Sequence, residues 1–372
     1  MLMPYQALAS LRFITACLLS FALVIAALGP AMSAPATRAT PDDTARYLAG
    51  LPLPSGSPLE EATKSRVWQR HKKRLDAAWS SVERKQLSKI RDWSKANIAN
   101  PEKTLFYPFS GPDFLYADAF FPNAKTYVLA ALEPVGEEPD LANMSRARID
   151  NGIRSLESSI NTVLRLSFFI TNEMKKKFRQ RAFPGTIPVL YTFLARSGKT
   201  VEKTELLVLG PDGMTRTAGE KEKAEGVRIT FTAPGSDEEK ILYYFSTNVA
   251  NGGLKKSGFL AFLNSLAPAD SFIKSASYLP HRAHFSELRD FLLANTRHLV
   301  QDDTGIPLTL IEPDQWDRVP FGNYNGPIKL FSKYYQPAMR KLFRKEESKP
   351  ISFGLGYRWR PGDSGFLLAV KK

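Results

Sequence analysis

TLFYPFSGPDFLYADAFFPNAKTYVLAALE, residues 104–133, decides the fold class. Leu105-Phe106-Tyr107 is a short apolar run stopped by Pro108, which reads as a buried strand. Ser110-Gly111-Pro112-Asp113 follows as a tight turn, with Gly111 free to take a left-handed backbone and Pro112 fixing the next dihedral. Ser110 or Asp113 is placed to cap a helix that buries Phe114, Leu115, Ala117, Phe120 and Phe121. Pro122 ends that helix because it lacks the backbone donor needed to continue. Thr126 to Leu132 is apolar nearly throughout, as expected of a strand covered on both faces.

The outline is strand, turn, helix, strand, with an acid, Glu133, 22 positions after Gly111. Nucleotide-binding βαβ units share it: a glycine turn beside the ligand and an acid for a ribose hydroxyl. The full fingerprint wants three glycines and the turn has one, so a rigid corner and an ordinary strand-end acid explain the same residues.

Upstream, a long helix is expected over 59–96, opened by Ser57-Pro58 with Glu60 and Glu61 in its first turn. Trp68, Leu75, Trp79, Val82, Ile90 and Trp93 make its apolar stripe. Its other face is basic from Lys64 to Lys95, a surface suited to an anionic envelope polymer or lipid headgroups, or simply a solvated helix face. Residues 37–58, rich in Pro, Ser, Gly and Thr, read as an extended linker. Residues 1–36 have the order of a secretory leader: Arg12, an apolar run from Phe13 to Leu28, then small residues ending Ala34-Pro35-Ala36. That order points to a periplasmic or secreted protein after cleavage, with an uncleaved anchor, for which the apolar run is short, as the alternative. Cys17, the only cysteine, lies within the leader, so no disulfide holds the body. The formal net charge of +14 suits anionic partners without choosing among them.

Downstream, 144–170 reads as a helix, followed by a basic shoulder around 175–181. Ile187 to Arg196 and Val201 to Leu209 read as paired strands, 227–232 and 241–247 as further strands. Helix 257–266, strand 271–278, helix 285–295 and strand 297–300 then alternate, the pattern of a parallel sheet covered by helices. A helix at 333–343 and a terminal hairpin of 351–359 with 366–370 complete the chain. The expected fold is a single α/β domain, 59–372, with a Rossmann-like, mixed, largely parallel sheet, flanking helices, a long N-terminal helix and a C-terminal β-hairpin.

Several motifs are discounted. Ser197-Gly-Lys-Thr200 lacks the first glycine of a phosphate loop, and Gly362-Asp-Ser-Gly365 has no histidine in a matching context for a serine nucleophile. His281 and His284 are three apart but lack further ligands at a metal-site spacing, so no metal and no cofactor is expected. No specific nucleic-acid module is present. Asp302-Asp303 follows a strand, where crevices of open α/β sheets lie, and paired carboxylates there suit acid–base work, a cation or sugar hydroxyls. With Asn248 and Tyr278 at other strand ends, the candidate small-molecule site is Ser110, Gly111, Asp113, Glu133, Asn248, Tyr278, Asp302 and Asp303.

The segments FYPFSGPDFLYADAFFP, YVLAALEPVG, LVQDDTGIP and FGLGYRW resemble a family of secreted bacterial proteins without an established activity. The resemblance runs from about Tyr47 to the C-terminus and implies export; it transfers no catalytic or binding role. Three functions fit the residues: non-catalytic binding of an anionic or small polar ligand, an enzyme using the strand-end carboxylates, or a methyltransferase-like domain that has lost its cofactor site.

Overall fold

A computed structural model describes residues 38–168, 182–345 and 348–372. The expected leader at 1–36 and the expected basic shoulder at 175–181 lie outside these residues. The expected linker 37–58 instead contains helix α1, Pro41–Leu48. Thr40 and Asp43 form a reciprocal capping box around Pro41, and Ala45, Tyr47 and Leu48 are buried. Trp68 Nε1 donates to the Tyr47 carbonyl at 3.0 Å, tying α1 to the body. The Thr-Pro-Asp-Asp start was a legible helix signal, masked by the turn-forming residues that follow it.

In place of one helix over 59–96, Glu61–Lys64 forms a short 3₁₀ turn and α2, Arg66–Val82, begins on the Ser65 cap. A π-turn at Glu83–Leu87 leads into α3, Ser88–Asn97. The π-turn carries Gln86, whose Oε1 accepts from the Gly354 amide at 2.9 Å.

The stretch quoted first folds as read: β1, Thr104–Tyr107; α4, Phe114–Phe120; β2, Thr126–Ala131. After α5, Arg146–Leu166, residues 187–196 form a helix, α6, and not the expected strand. Their β-branched and aromatic content suggests a strand, but Pro188 sits in the first helical turn and nearly every residue is buried. A helix apolar all round belongs in a core, where packing overrides local propensity. An antiparallel section follows: β3, Thr200–Leu209; β4, Thr215–Thr217; β5, Gly226–Thr232. Next come β6, Glu239–Ser246, the one-turn α7, Asn251–Leu254, and α8, Phe259–Ser265. The remaining elements are β7, Ala269–Ile273; α9, Ser286–Asn295; β8, Thr296–Asp302; β9, Trp316–Gly322; α10, Pro337–Lys345; and β10, Gly365–Lys371.

The fold is mixed α/β. The ten strands among the described residues join one sheet in the order β4-β3-β5-β6-β2-β1-β7-β8-β10-β9. The five central strands, β6-β2-β1-β7-β8, are parallel. The expected terminal hairpin does not form: β10 inserts between β8 and β9, antiparallel to both, and 351–359 is a loop. β9 escaped the sequence reading because Pro320 interrupts it; at the sheet edge the missing donor is tolerated.

Alternating residues of the central strands feed two cores. Leu105, Tyr107, Tyr127 and Leu129 face the side holding α1–α6. Phe106, Val128 and Ala130 face the side holding α8, α9 and α10. Such two-sided burial explains the near-continuous apolar runs of β1 and β2. No helix among the described residues is long and apolar enough to cross a membrane.

Candidate functional site

β2 leaves one side of β1 and β7 the other, so the loops after β1 and β7 part at the middle of the sheet. Ligand crevices of open α/β sheets form at such a reversal, beyond the C-terminal strand ends. A cleft of about 130 Å³ lies there. Its walls come from residues after four parallel strands: Tyr107 to Asp113, Ala131-Leu132, Thr247 to Val249, and Lys274 to Ser277. Phe168 and Phe285 close its sides.

Among the described residues, Asp113 and Lys274 are the only charged ones lining the cleft, and they meet as a fully buried ion pair at 2.8 Å. Asp113 Oδ1 caps α4 by accepting from the Tyr116 amide at 3.2 Å; Oδ2 accepts from the Tyr107 hydroxyl at 2.9 Å as well as from Lys274. Lys274 also donates to the Ser167 carbonyl, and its Nζ lies 4.2 Å above the Tyr116 ring. Both charges are engaged with the protein. Asp113 is therefore a fastening, not a free base.

The buried hydroxyls of Ser110 and Ser275 line the same cleft, and among the described residues neither has a hydrogen-bond partner. Buried polar atoms are ordinarily paired, so two facing one cleft mark where a ligand's polar groups would sit.

The loop from Ser275 to Tyr278 forms the far wall. Ser275, Ser277 and Tyr278 all take left-handed backbone, with φ of 53°, 51° and 55°. Such conformations are unfavourable for non-glycine residues and persist where the surroundings enforce them. Asp302 Oδ2 accepts from the Ser275 amide at 2.9 Å, and Thr304 Oγ1 from the Ala276 amide at 2.7 Å. Tyr357 donates to the Ser275 carbonyl at 3.1 Å, and Tyr278 donates to Asp303 Oδ2 at 2.5 Å.

Of the residues expected to share one crevice, Ser110, Gly111, Asp113 and Asn248 line it, with Asn248 at the exposed rim. Glu133 is fully buried and does not line the cleft, one residue past the exposed Leu132 that does. Tyr278, Asp302 and Asp303 stand behind the cleft wall and hold it. The important omissions from the sequence reading are Lys274 and Ser275; a lysine directly after Phe272-Ile273 at the end of a strand was the available signal. His281 packs edge-on against Tyr278 and burial lowers its pKa to about 4, while His284 is exposed.

Burial raises the pKa of Asp302; burial and the neighbouring Asp302 charge push Asp303 up to about 7. For Asp303 the folded state thus holds its proton at pH values where the unfolded chain has lost it. Stability from this group is full below the ordinary carboxylate range and falls as pH rises towards about 7. Asp303→Asn, which imitates the protonated form, is expected to flatten that fall. Urea midpoints at acid and slightly alkaline pH should diverge between wild type and variant; parallel curves would refute the shift.

No family model matches the chain, and comparison with curated proteins and with solved structures finds no match.

Proposed function

We propose that this is an exported Rossmann-like binding domain whose strand-end cleft holds a small, uncharged polar ligand without transforming it. Numbering the parallel strands by their order in the chain, the central sheet runs 3-2-1-4-5, the order of doubly wound nucleotide-binding domains. The late antiparallel β10 beside the fifth parallel strand fits the methyltransferase-like variant, an analogy of fold alone. The cleft argues against a retained nucleotide. Its volume of 130 Å³ lies below the roughly 300–1,000 Å³ of ordinary small-molecule pockets. Tyr107, Phe109 and Phe168 occupy its walls, and Glu133, the acid placed for a ribose, is buried away from it.

The observation that carries the reading is the division of labour among the described cleft residues: Asp113 and Lys274 neutralise each other, while the unpartnered buried atoms are hydroxyls. A neutral ligand bearing a hydroxyl or amide satisfies them; among the described lining residues an ion finds no unspent countercharge. A location outside the cytoplasm, where nucleotide cofactors are scarce, agrees with this reading.

A thermal-shift panel of small polyols, small amides, S-adenosylmethionine and NAD tests it. A ligand at about a hundred times its Kd adds roughly 2.7 kcal/mol to stability. Shifts are expected from the small neutral compounds and are expected to disappear in Ser110→Ala and Ser275→Ala. Neither substitution should destabilise the free protein, because neither hydroxyl has a bond to lose. A shift by S-adenosylmethionine that Ser110→Ala abolishes would overturn the proposal.

A further inference from the structure

We infer that a second site, the groove between α2 and α5, binds a linear polyanion: a chain with repeating phosphate, sulfate or carboxylate groups. The groove measures about 520 Å³ and is far from closed by its own side chains. Arg74 and Arg154 stand on its two walls, with Asn161 beside them and Leu75 and Ile160 at its floor.

Helical spacing extends the charge along both walls. Arg66, Arg70 and Arg74 recur every four residues on α2 and lead to Ala78 in the groove. Arg154 and Arg165 share a face of α5 with Asn161. All five arginines are exposed. At about 1.5 Å per residue the two rows run roughly 12 and 16 Å, the reach of several polymer units. Together the helices carry nine cationic side chains against three carboxylates.

Two of those carboxylates are already engaged. Asp76 accepts from Lys72 at 2.9 Å and from the buried Arg196 at 2.7 Å. Glu157 faces His71 at 3.1 Å and Arg74 at 3.2 Å, which leaves Arg74 part of its guanidinium for another anion. Among the described residues, no carboxylate lies within 4 Å of Arg66, Arg70, Arg154 or Arg165. This unneutralised field is complementary to a polyanion. A membrane fits less well: Trp68, Leu75, Ile153 and Leu156 are in the core and Val67, Trp79 and Leu164 pack against it, so among the described residues of the two helices no fully exposed large apolar side chain is offered for insertion.

Binding of size-defined polyphosphate, a sulfated glycan chain and polygalacturonate to the purified protein tests the inference; the preferred polymer identifies the anionic group. With about five contacts and a single-strand slope, affinity should fall roughly a hundredfold between about 50 and 200 mM salt. Arg70→Glu/Arg154→Glu should weaken binding roughly tenfold or more and make the salt dependence shallower, at unchanged thermal stability. The control Lys329→Glu/Lys333→Glu alters net charge equally at exposed positions elsewhere and should leave binding near wild type. Equal weakening by both pairs would overturn the inference, as would no binding, or binding to anionic phospholipid vesicles but not to the free polymers. The cleft ligands of the preceding section are unaffected by these variants, so the two proposals fail separately.

Discussion

Lys274→Met is expected to destabilise the protein by about 3–5 kcal/mol, the usual consequence of stranding one member of a buried ion pair. Both side chains are about 1% exposed and meet at 2.8 Å, so the Asp113 carboxylate left behind has no water to turn to. It would keep the Tyr107 hydroxyl and the Tyr116 amide, but lose its countercharge. Asp113→Ala should do comparable damage by the opposite route: it strands Lys274 and removes the cap of α4, the cap alone contributing about 1 kcal/mol. The double variant Asp113→Leu/Lys274→Met should recover part of the loss, because the desolvation that the pair endures disappears with it, while the cap of α4 and the acceptor of the buried Tyr107 hydroxyl stay lost. Urea unfolding at neutral pH reads all three. A Lys274→Met protein within about 1 kcal/mol of wild type would show that the pair is not the fastening described. The result also bears on ligand tests: an Asp113 substitution that abolishes binding says little, since it loosens the cleft itself. Ser110→Ala and Ser275→Ala avoid that confusion.

The parallel core was legible because β1 and β2 are apolar on both faces, and only a strand covered on both sides needs that. Asp113 was legible as a cap, since its distance from Tyr116 is a local matter. Its ion pair was not: nothing near Asp113 announces a lysine that arrives from β7 on the other side of the sheet reversal. Asp302 and Asp303 illustrate the same limit at closer range. Read as a pair, they suggest two carboxylates working together. In the fold Asp302 turns to the Ser275 amide and Asp303 to the Tyr278 hydroxyl, because successive residues leaving a strand point to opposite faces. The segment 187–196 failed for a different reason: its β-forming side chains serve a helix that is buried all round, a property of its neighbours and not of its own residues.

Gly356→Ala is expected to lower stability by about 2–5 kcal/mol, combining left-handed backbone strain of roughly 1–2 kcal/mol with an overpacking term of about 1–3 kcal/mol. Gly356 has φ of +67°, and an added Cβ would stand 1.9 Å from Asp302 Oδ2. That oxygen cannot retreat freely, because it accepts from the Ser275 amide while Oδ1 accepts from Thr304. The next residue, Tyr357, reaches Ser275 and Ser277, and Arg358 donates to the carbonyls of Asn325, Gly326 and Pro327. Moving Gly356 therefore moves the clamp on the left-handed loop that walls the cleft. Gly362→Ala is the matched control: it has no neighbour within 4 Å and no left-handed backbone, so it should be neutral. Comparing the two by urea unfolding separates a general cost of losing glycine from a specific collision. If Gly356→Ala is as stable as Gly362→Ala, the loop is not held through Asp302. If it is destabilised and also weakens binding of the small neutral ligands, Gly356 is held as glycine by the cleft that its loop braces, since it approaches Asp302 and sits in neither a strand nor a helix.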